Sequence, residues 1–305
     1  MRIFINRKPV VGPWGGGNKT LFHLVSGLVE RGHELFFDNL PPDLDLMICF
    51  DPRPNHVGIS YDHLLLYRDR NNTPIMQRVG DVGTHGKPDL TNIVKRSTHM
   101  SDFVIFPSLW ARDYISYYGD HKIIPNGPLS GFYTPRYRSD LPKFRDPIEA
   151  VTHHWSDNPM KGFDLYKNLD ENHGKVLKFN YIGRHPVDIS FKNYHGTKGD
   201  EELFSYLGNF DVYITASKLE AGANHVLEAM AAGLPIFYAA GGGSIAEYCE
   251  NFGQEYSDEE DLLEKISQSF KDEELWMEIK NKVVKYDRTI YNVVNEYIEE
   301  IERIK

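Results

Sequence analysis

Two glutamates, Glu220 and Glu228, with seven residues between them, stand on a stretch (211–243) where apolar runs alternate with small residues and glycines. Residues 211–216 are a β-branched and aromatic run of the kind that forms a buried strand. The loop 217–223 follows and carries Glu220. Asn224 has the side chain to cap a helix through Leu227, Met230 and Ala231, which Gly233 and Pro235 bring to an end. A second apolar run, 236–240, leads into Gly241, Gly242 and Gly243. A helix N-terminus offers N–H groups and the positive end of a dipole. Gly222, Ala223, Asn224 and His225 are therefore candidates to hold a diphosphate. Glu228 would lie roughly 6 Å down the axis, at ~1.5 Å per residue. Glu220 precedes the helix, on the other side of the anion. One carboxylate could then hold ribose hydroxyls and the other those of a sugar. Acids near a helix start also favour the dipole and the solvated face; the strand–loop–helix setting and the glycine cluster weigh for a ligand.

Other residues could do chemistry elsewhere. Residues 2–6 read as a strand, followed by Gly12, Gly15, Gly16 and Gly17 and then by Leu21, Leu24, Val25 and Leu28 at helical spacing. Strand, glycine loop and helix can cradle a phosphate, which makes Gly16 and Gly17 candidates, although the spacing is neither a P-loop nor a dinucleotide fingerprint. A tight turn packing the helix onto its sheet is the competing reading. A strand at 73–79 delivers Gly80, Asp81 and His85 at its carboxyl end, where open α/β sheets place ligands. Lys161 and Gly162 precede a helix beginning near Phe163, and Arg184 follows the next strand. The adjacent His153 and His154 lack a third metal ligand at plausible spacing, so no metal is assigned.

The elements that must position these residues follow from the rest of the chain. The 305 residues suffice for two domains, and a formal charge of −10 argues against nucleic acid as a partner. No apolar run approaches the ~20 residues of a membrane-spanning helix, the N-terminus has no apolar signal core, and a cytoplasmic location is expected. Peripheral membrane contact stays open, since a local basic patch is compatible with the net charge. Cys49 and Cys249 fall in separate halves, so no disulfide framework is expected. Short strands alternate with helices, which predicts an α/β fold of two Rossmann-like parallel-sheet domains. The boundaries are an N-terminal domain 1–130, a proline-rich linker 131–147 with Arg136, Arg138, Lys143 and Arg145, a second domain 148–285, and a C-terminal helix 286–305. Helices are expected at 109–118, 200–207, 258–270 and 272–284. An apolar stripe from Ile290 to Ile304 marks the last helix.

The stretch SKLEAGANHVLEAMAAGLPI closely resembles the donor-binding signature of family 4 (group 1) glycosyltransferases, which have the GT-B fold. GGGSIAE resembles that family's glycine pair followed by an acid. Pro125-Asn126-Gly127 with Phe132 resembles its marker for the end of the first domain, and Lys161-Gly162 its phosphate-binding lysine. The resemblance implies that Glu220 contacts the transferred sugar, Glu228 the ribose, Lys161 the leaving diphosphate and His85 the donor sugar. It implies retention of anomeric configuration, no catalytic metal, and no cofactor beyond a nucleotide-diphosphate sugar (UDP as the commonest base) acting as donor to a hydroxyl acceptor of a glycan, lipid-linked compound or protein. It also implies a cleft between the domains and a last helix crossing back to the first. The sequence departs from the family at Glu220-Ala221-Gly222-Ala223, where E-G-F-G is usual. It departs again before Lys161, where His153, His154 and Trp155 stand in the region of the usual arginine, and His153, His154 and Arg184 are the candidates to replace it. Asp43-Leu44-Asp45 matches the D-x-D of metal-dependent glycosyltransferases but precedes a strand that must be buried, and is read as structural. Two rival readings are a UDP-sugar epimerase, using His85 and Asp81, and a non-catalytic glycan-binding partner of the same fold.

Overall fold

A computed structural model describes residues 1–10, 15–133 and 147–304. Gly12 and most of the linker 131–147, including Arg136, Arg138, Lys143 and Arg145, lie outside the described residues. The chain divides into two compact units: Met1–Asn126 with Ile290–Lys305, and Gly127–Thr289.

Unit 1 is built on a parallel sheet. Its strands are β1 (Arg2–Ile5), β2 (Glu34–Phe36), β3 (Leu46–Cys49), β4 (Ile75–Arg78), β5 (Phe103–Phe106) and β6 (His121–Ile123), in the order β2-β1-β3-β4-β5-β6. β3, β4 and β5 are buried at every residue, as central parallel strands covered on both faces must be. The helices are α1 (Gly16–Glu30), α2 (Tyr61–Asn71), α3 (Pro88–Met100) and α4 (Leu109–Ile115), with the C-terminal helix Ile290–Arg303 in the same unit. That last helix buries Val294 and Ile298 against α1, where a Cβ on Gly27 would come within 3.0 Å of both side chains. A side chain at Gly27 would require Val294 and Ile298 to give way.

Sequence reasoning did not assign α2 or α3. The apolar spacing of α2 is thin (Tyr61, Leu64 and Leu65 are its buried residues), and its capping box uses His63, whose Nδ1 accepts from the Ser60 N–H at 3.1 Å, where Glu or Gln is usual. The expected helix 109–118 stops at Ile115 because Ser116 turns left-handed, at φ 61°. Asp45 accepts the Arg2 N–H at 2.6 Å, and Asp43 sits in a left-handed turn at φ 61°, so the D-x-D residues serve the turn into β3.

Unit 2 has a five-stranded parallel sheet. The strands are β7 (Ile148–His154), β8 (Leu177–Gly183), β9 (Val212–Thr215), β10 (Ile236–Ala239) and β11 (Gly253–Tyr256), ordered β11-β10-β9-β7-β8. Alternate residues feed two cores. Val151, Tyr213, Ile236 and Tyr238 pack in one, and Ala150, Val212, Ile214 and Phe237 in the other. The helices are α5 (Phe163–Asn172), α6 (Asp200–Leu207), α7 (Asn224–Ala231), α8 (Ser244–Cys249), α9 (Glu259–Lys271) and α10 (Glu273–Val284), so that the Ile290–Arg303 helix is α11. Asp258 and Asp272 cap α9 and α10 by accepting from Asp261 N at 2.9 Å and Leu275 N at 3.1 Å. Cys49 and Cys249 are free, and burial pushes both thiols up. Among the described residues no helix is long and apolar enough to cross a membrane.

α10 fastens the end of α7 by one buried contact. Lys280 Nζ donates to Gly233 O at 2.7 Å, and burial lowers its pKa to about 8 although Asp211 pulls the other way. Below pH 8 folded and unfolded chains both hold this proton. Between about 8 and the ordinary 10.5 the folded chain has released it while the unfolded chain keeps it, so stability rises with pH across that window. The difference in unfolding free energy between wild type and Lys280→Met is therefore expected to shift in favour of wild type by about 3 kcal/mol from pH 7.5 to 10.5. Denaturant titrations that gave parallel pH profiles for the two proteins would refute this.

Candidate functional site

β9 ends at Thr215, and the chain crosses to α7 through residues 216–223. Two neighbouring loops hold that crossing. Lys218 N donates to Met160 O at 2.9 Å, fixing it to the single 3-10 turn Pro159–Lys161 before α5. Gly162 makes this approach possible: its φ is +84°, and a Cβ there would lie 2.6 Å from Ala216 O. On the other side Leu219 N reaches Gly241 O and Glu220 N reaches Gly242 O, both at 3.1 Å, while Ser244 N donates to Glu220 O at 2.8 Å. The glycine run thus clamps the backbone of Glu220. Leu219 is held left-handed at φ 53°, a conformation a branched apolar residue adopts only under tertiary constraint.

The clamped loop points Glu220 at Lys161. Lys161 Nζ donates to Glu220 Oε1 at 2.5 Å, and each residue is only 9% exposed. A charge pair this dry is sensitive to removal of either member. Lys161 is placed by Asn158, whose side chain accepts from Met160 N at 2.9 Å and caps the turn.

The second glutamate is paired as well. Glu228 is not on a solvated face: α7 is buried at every position from His225 to Ala231. Glu228 Oε2 meets His153 Nε2 at 2.8 Å. His153 stands near the carboxyl end of β7, where the Tyr213 hydroxyl takes its N–H and donates to its C=O, both at 3.2 Å. Tyr213, from the middle of β9, thereby fixes the backbone that carries the histidine. The neighbouring His154 meets the Tyr166 hydroxyl at 2.9 Å, and that hydroxyl also accepts from Ala216 N at 2.8 Å, tying β7, α5 and the crossing loop together. His225 Nε2 lies 3.0 Å from Thr215 Oγ1. The rings of His154 and His225 are 4.9 Å apart, yet among the described residues no three His, Cys, Asp or Glu side chains gather as they would around a metal ion.

The N-terminus of α7 differs from the reading of the sequence in one respect. Ala223, not Asn224, occupies the cap position, because Ser244 Oγ accepts the Ala223 N–H at 3.2 Å and holds that residue outside the helix. Asn224 is the first helical residue; among the described residues its buried Oδ1 has no hydrogen-bond partner, and neither has the buried Nδ1 of His153. It is the His153 ring that meets Glu228, and Asn224 lies one turn before Glu228 on α7.

Of the candidate residues, unit 2 brings together Lys161 with Glu220 and places Gly222, Ala223, Asn224 and His225 at the start of the helix that bears Glu228. Arg184 is not brought to either glutamate. It is exposed, with its guanidinium 4.8 Å over the Trp155 ring, and His153 occupies the position facing Glu228. Tyr213 and Tyr166 were missed as site-building residues, since apolar strand and helix positions carry no sequence mark of a hydroxyl that braces a neighbouring backbone. Gly16, Gly17, Asp81 and His85 belong to unit 1. Gly16 and Gly17 open α1, and Asp81 forms an ion pair with Lys87 at 2.8 Å and accepts the Gly83 N–H at 2.9 Å. Burial opposes its ionised form, but those two partners outweigh it and hold the Asp81 carboxyl below its usual range.

Residues 192–287 match the family profile of glycosyl transferases group 1; Glu220, Glu228 and the glycine run fall within the match, and Lys161 and His153 outside it. No curated protein matches the chain in sequence. Among solved structures the chain is similar to Anabaena HepE in complex with UDP (TM-score 0.73, 14% identity, 99% of this chain and 100% of that one). It is similar also to sucrose-phosphate synthase from Thermosynechococcus elongatus (TM-score 0.69, 14% identity, 100% and 99%). A third is WaaG, a glycosyltransferase involved in lipopolysaccharide biosynthesis (TM-score 0.64, 16% identity, 99% of each chain). The two parallel-sheet units are the GT-B architecture of these proteins, and unit 2 carries a glycosyl transferases group 1 segment.

Proposed function

We propose that the chain is a glycosyltransferase that moves a sugar from a UDP-sugar to a hydroxyl acceptor, with retention of configuration and without a metal or other cofactor. The observation that carries this reading is the pair of buried contacts, Lys161–Glu220 and His153–Glu228, whose glutamates precede and follow the start of α7 along the chain. A leaving diphosphate needs positive charge that is in place before the bond breaks. Lys161 and the first amides of α7 supply it. Glu220, held by its backbone, accepts from hydroxyls of the sugar, and Glu228 from those of the ribose, with His153 keeping its carboxylate oriented. In this scheme the acceptor hydroxyl attacks from the face of the leaving group and gives its proton to the diphosphate, so no protein base is required. UDP is favoured as the base because a structurally similar protein, HepE, is described in complex with UDP and with UDP-glucose. An epimerase using Asp81 is disfavoured, since that carboxylate is already held by Lys87 and by the Gly83 amide.

Glu228→Ala tests the donor site directly. A saturating ligand at ~100 times its Kd adds about 2.7 kcal/mol of stability, a shift of several degrees. UDP is expected to raise the Tm of wild type by that amount and to leave Glu228→Ala unmoved, while GDP moves neither. A folded wild type indifferent to every nucleotide would turn the reading to a non-catalytic glycan-binding protein.

A further inference from the structure

In unit 1, α1 and α11 enclose a groove that none of the donor-site residues lines. Its volume, about 520 Å³, falls among those of ligand sites, about 300–1,000 Å³. The floor is apolar: Val294 and Ile298 are buried, and Gly27 adds no side chain. One wall is the Tyr291 ring, 57% exposed, which stands edge-on to the His23 ring at 6.0 Å. His23 in turn stands edge-on to Phe22 at 5.6 Å. The three rings brace one another, so the Tyr291 ring is in place before any ligand arrives. The rim is polar. The Glu30 carboxylate and the Asn295 amide are exposed and, among the described residues, have no hydrogen-bond or ion-pair partner. The Ser26 hydroxyl donates to Phe22 O at 3.2 Å and keeps its oxygen as an acceptor. Arg31 Nη1 is held by Glu302 Oε2 at 3.3 Å, so the charge left unpaired along the groove is that of Glu30.

We infer that this groove is a second binding site, for the neutral sugar rings of an oligosaccharide. A pyranose ring carries C–H groups on its faces and hydroxyls around its edge. The C–H groups suit an apolar floor and the negative face of an aromatic ring, and the hydroxyls suit a carboxylate, an amide and a serine oxygen along the rim. A lipid chain would cover the Glu30 and Asn295 side chains without giving them partners, and a phosphorylated or carboxylated ligand would bring like charge to Glu30. The sugar site is complete within unit 1 and stands by itself; that the oligosaccharide is the acceptor rests on the transferase reading. An acceptor glycan tethered here would be offered to the reaction at raised effective concentration.

The experiment is a calorimetric titration of wild type, Tyr291→Ala, Asn295→Ala and Glu228→Ala. Maltotetraose, cellotetraose and chitotetraose are the neutral probes and tetragalacturonate the acidic one, with the thermal response to UDP followed in parallel. Tyr291 and Asn295 are exposed, so both groove variants should keep the unliganded Tm of wild type. At least one neutral tetrasaccharide is expected to bind wild type and Glu228→Ala alike, and to lose at least tenfold in affinity in each groove variant. Tetragalacturonate should bind none of the four, and both groove variants should keep the UDP response. No neutral tetrasaccharide bound by wild type, or equal affinity in wild type and both groove variants, overturns the site. Affinity lost in Glu228→Ala and kept in Tyr291→Ala assigns the sugar to the donor site and overturns the groove. Tetragalacturonate binding that depends on Tyr291 overturns the neutral class. A dimer of wild type in sedimentation that Tyr291→Ala dissociates makes the groove an interface between copies and overturns the sugar. A UDP response missing from every protein, while a tetrasaccharide binds through Tyr291, overturns the donor reading alone.

Discussion

Replacing Lys161 by alanine is expected to reduce sugar transfer by about 10²–10³-fold, the usual cost of removing one fixed stabiliser of a developing anion. The same change should lower stability by about 3–5 kcal/mol, because Glu220 is left as an unpaired carboxylate in a dry site. The two effects have different causes and separate in the double variant Lys161→Met with Glu220→Leu. With both charges gone and similar volume retained, stability should return close to that of wild type, while transfer remains lost. Donor turnover can be followed as UDP release from the UDP-sugar, and stability by denaturant titration. An alanine variant that unfolds with wild-type stability would mean that water already solvates Glu220. One that keeps wild-type turnover would remove Lys161 from the reaction.

The second large effect concerns Gly243. Its φ of +70° and ψ of −125° form a combination open essentially to glycine, and a Cβ would lie 2.5 Å from Glu220 O and 2.7 Å from Glu220 N. Both contacts are with backbone, so no side chain can move aside. Gly243→Ala is expected to cost about 4 kcal/mol, combining the strained dihedral with overpacking. It should also displace the loop that aims Glu220 and weaken sugar binding even in the fraction that stays folded. Gly241→Ala is the control: its φ is +80° but nothing stands within 4 Å, so it should cost about 1–2 kcal/mol and leave donor affinity intact. Equal losses in the two variants would mean that the steric contact with Glu220 plays no part.

Much of this arrangement was legible in the residue order. The apolar run of β9, the spacing of Leu227, Met230 and Ala231, and the stop at Gly233 sufficed to place the strand, loop and helix that bear both glutamates. The helices at 258–270 and 272–284 were readable as well, and each begins at the aspartate that caps it, Asp258 and Asp272. α2 and α3 were not, because their buried faces are sparse and tertiary packing stabilises them. Asn224 was assigned the cap on residue type alone. Ser244, twenty-one positions away by separation along the chain, takes the Ala223 amide and moves the cap by one residue.

The sequence by itself determined the type of fold, because local periodicity and turn chemistry act over a few neighbouring residues, and its resemblance to a glycosyltransferase signature singled out the two acids and the lysine. Only the tertiary structure decided which charges meet. Lys161 and Glu220 are fifty-nine residues apart, and His153 and Glu228 seventy-five. Each pair is joined because parallel strands β7 and β9 are neighbours and deliver their following loops to the same edge of the sheet. Arg184 follows β8, on the far side of β7 from β9, and remains exposed over Trp155. Strand order, a long-range property, therefore chose the histidine over the arginine as the partner of Glu228.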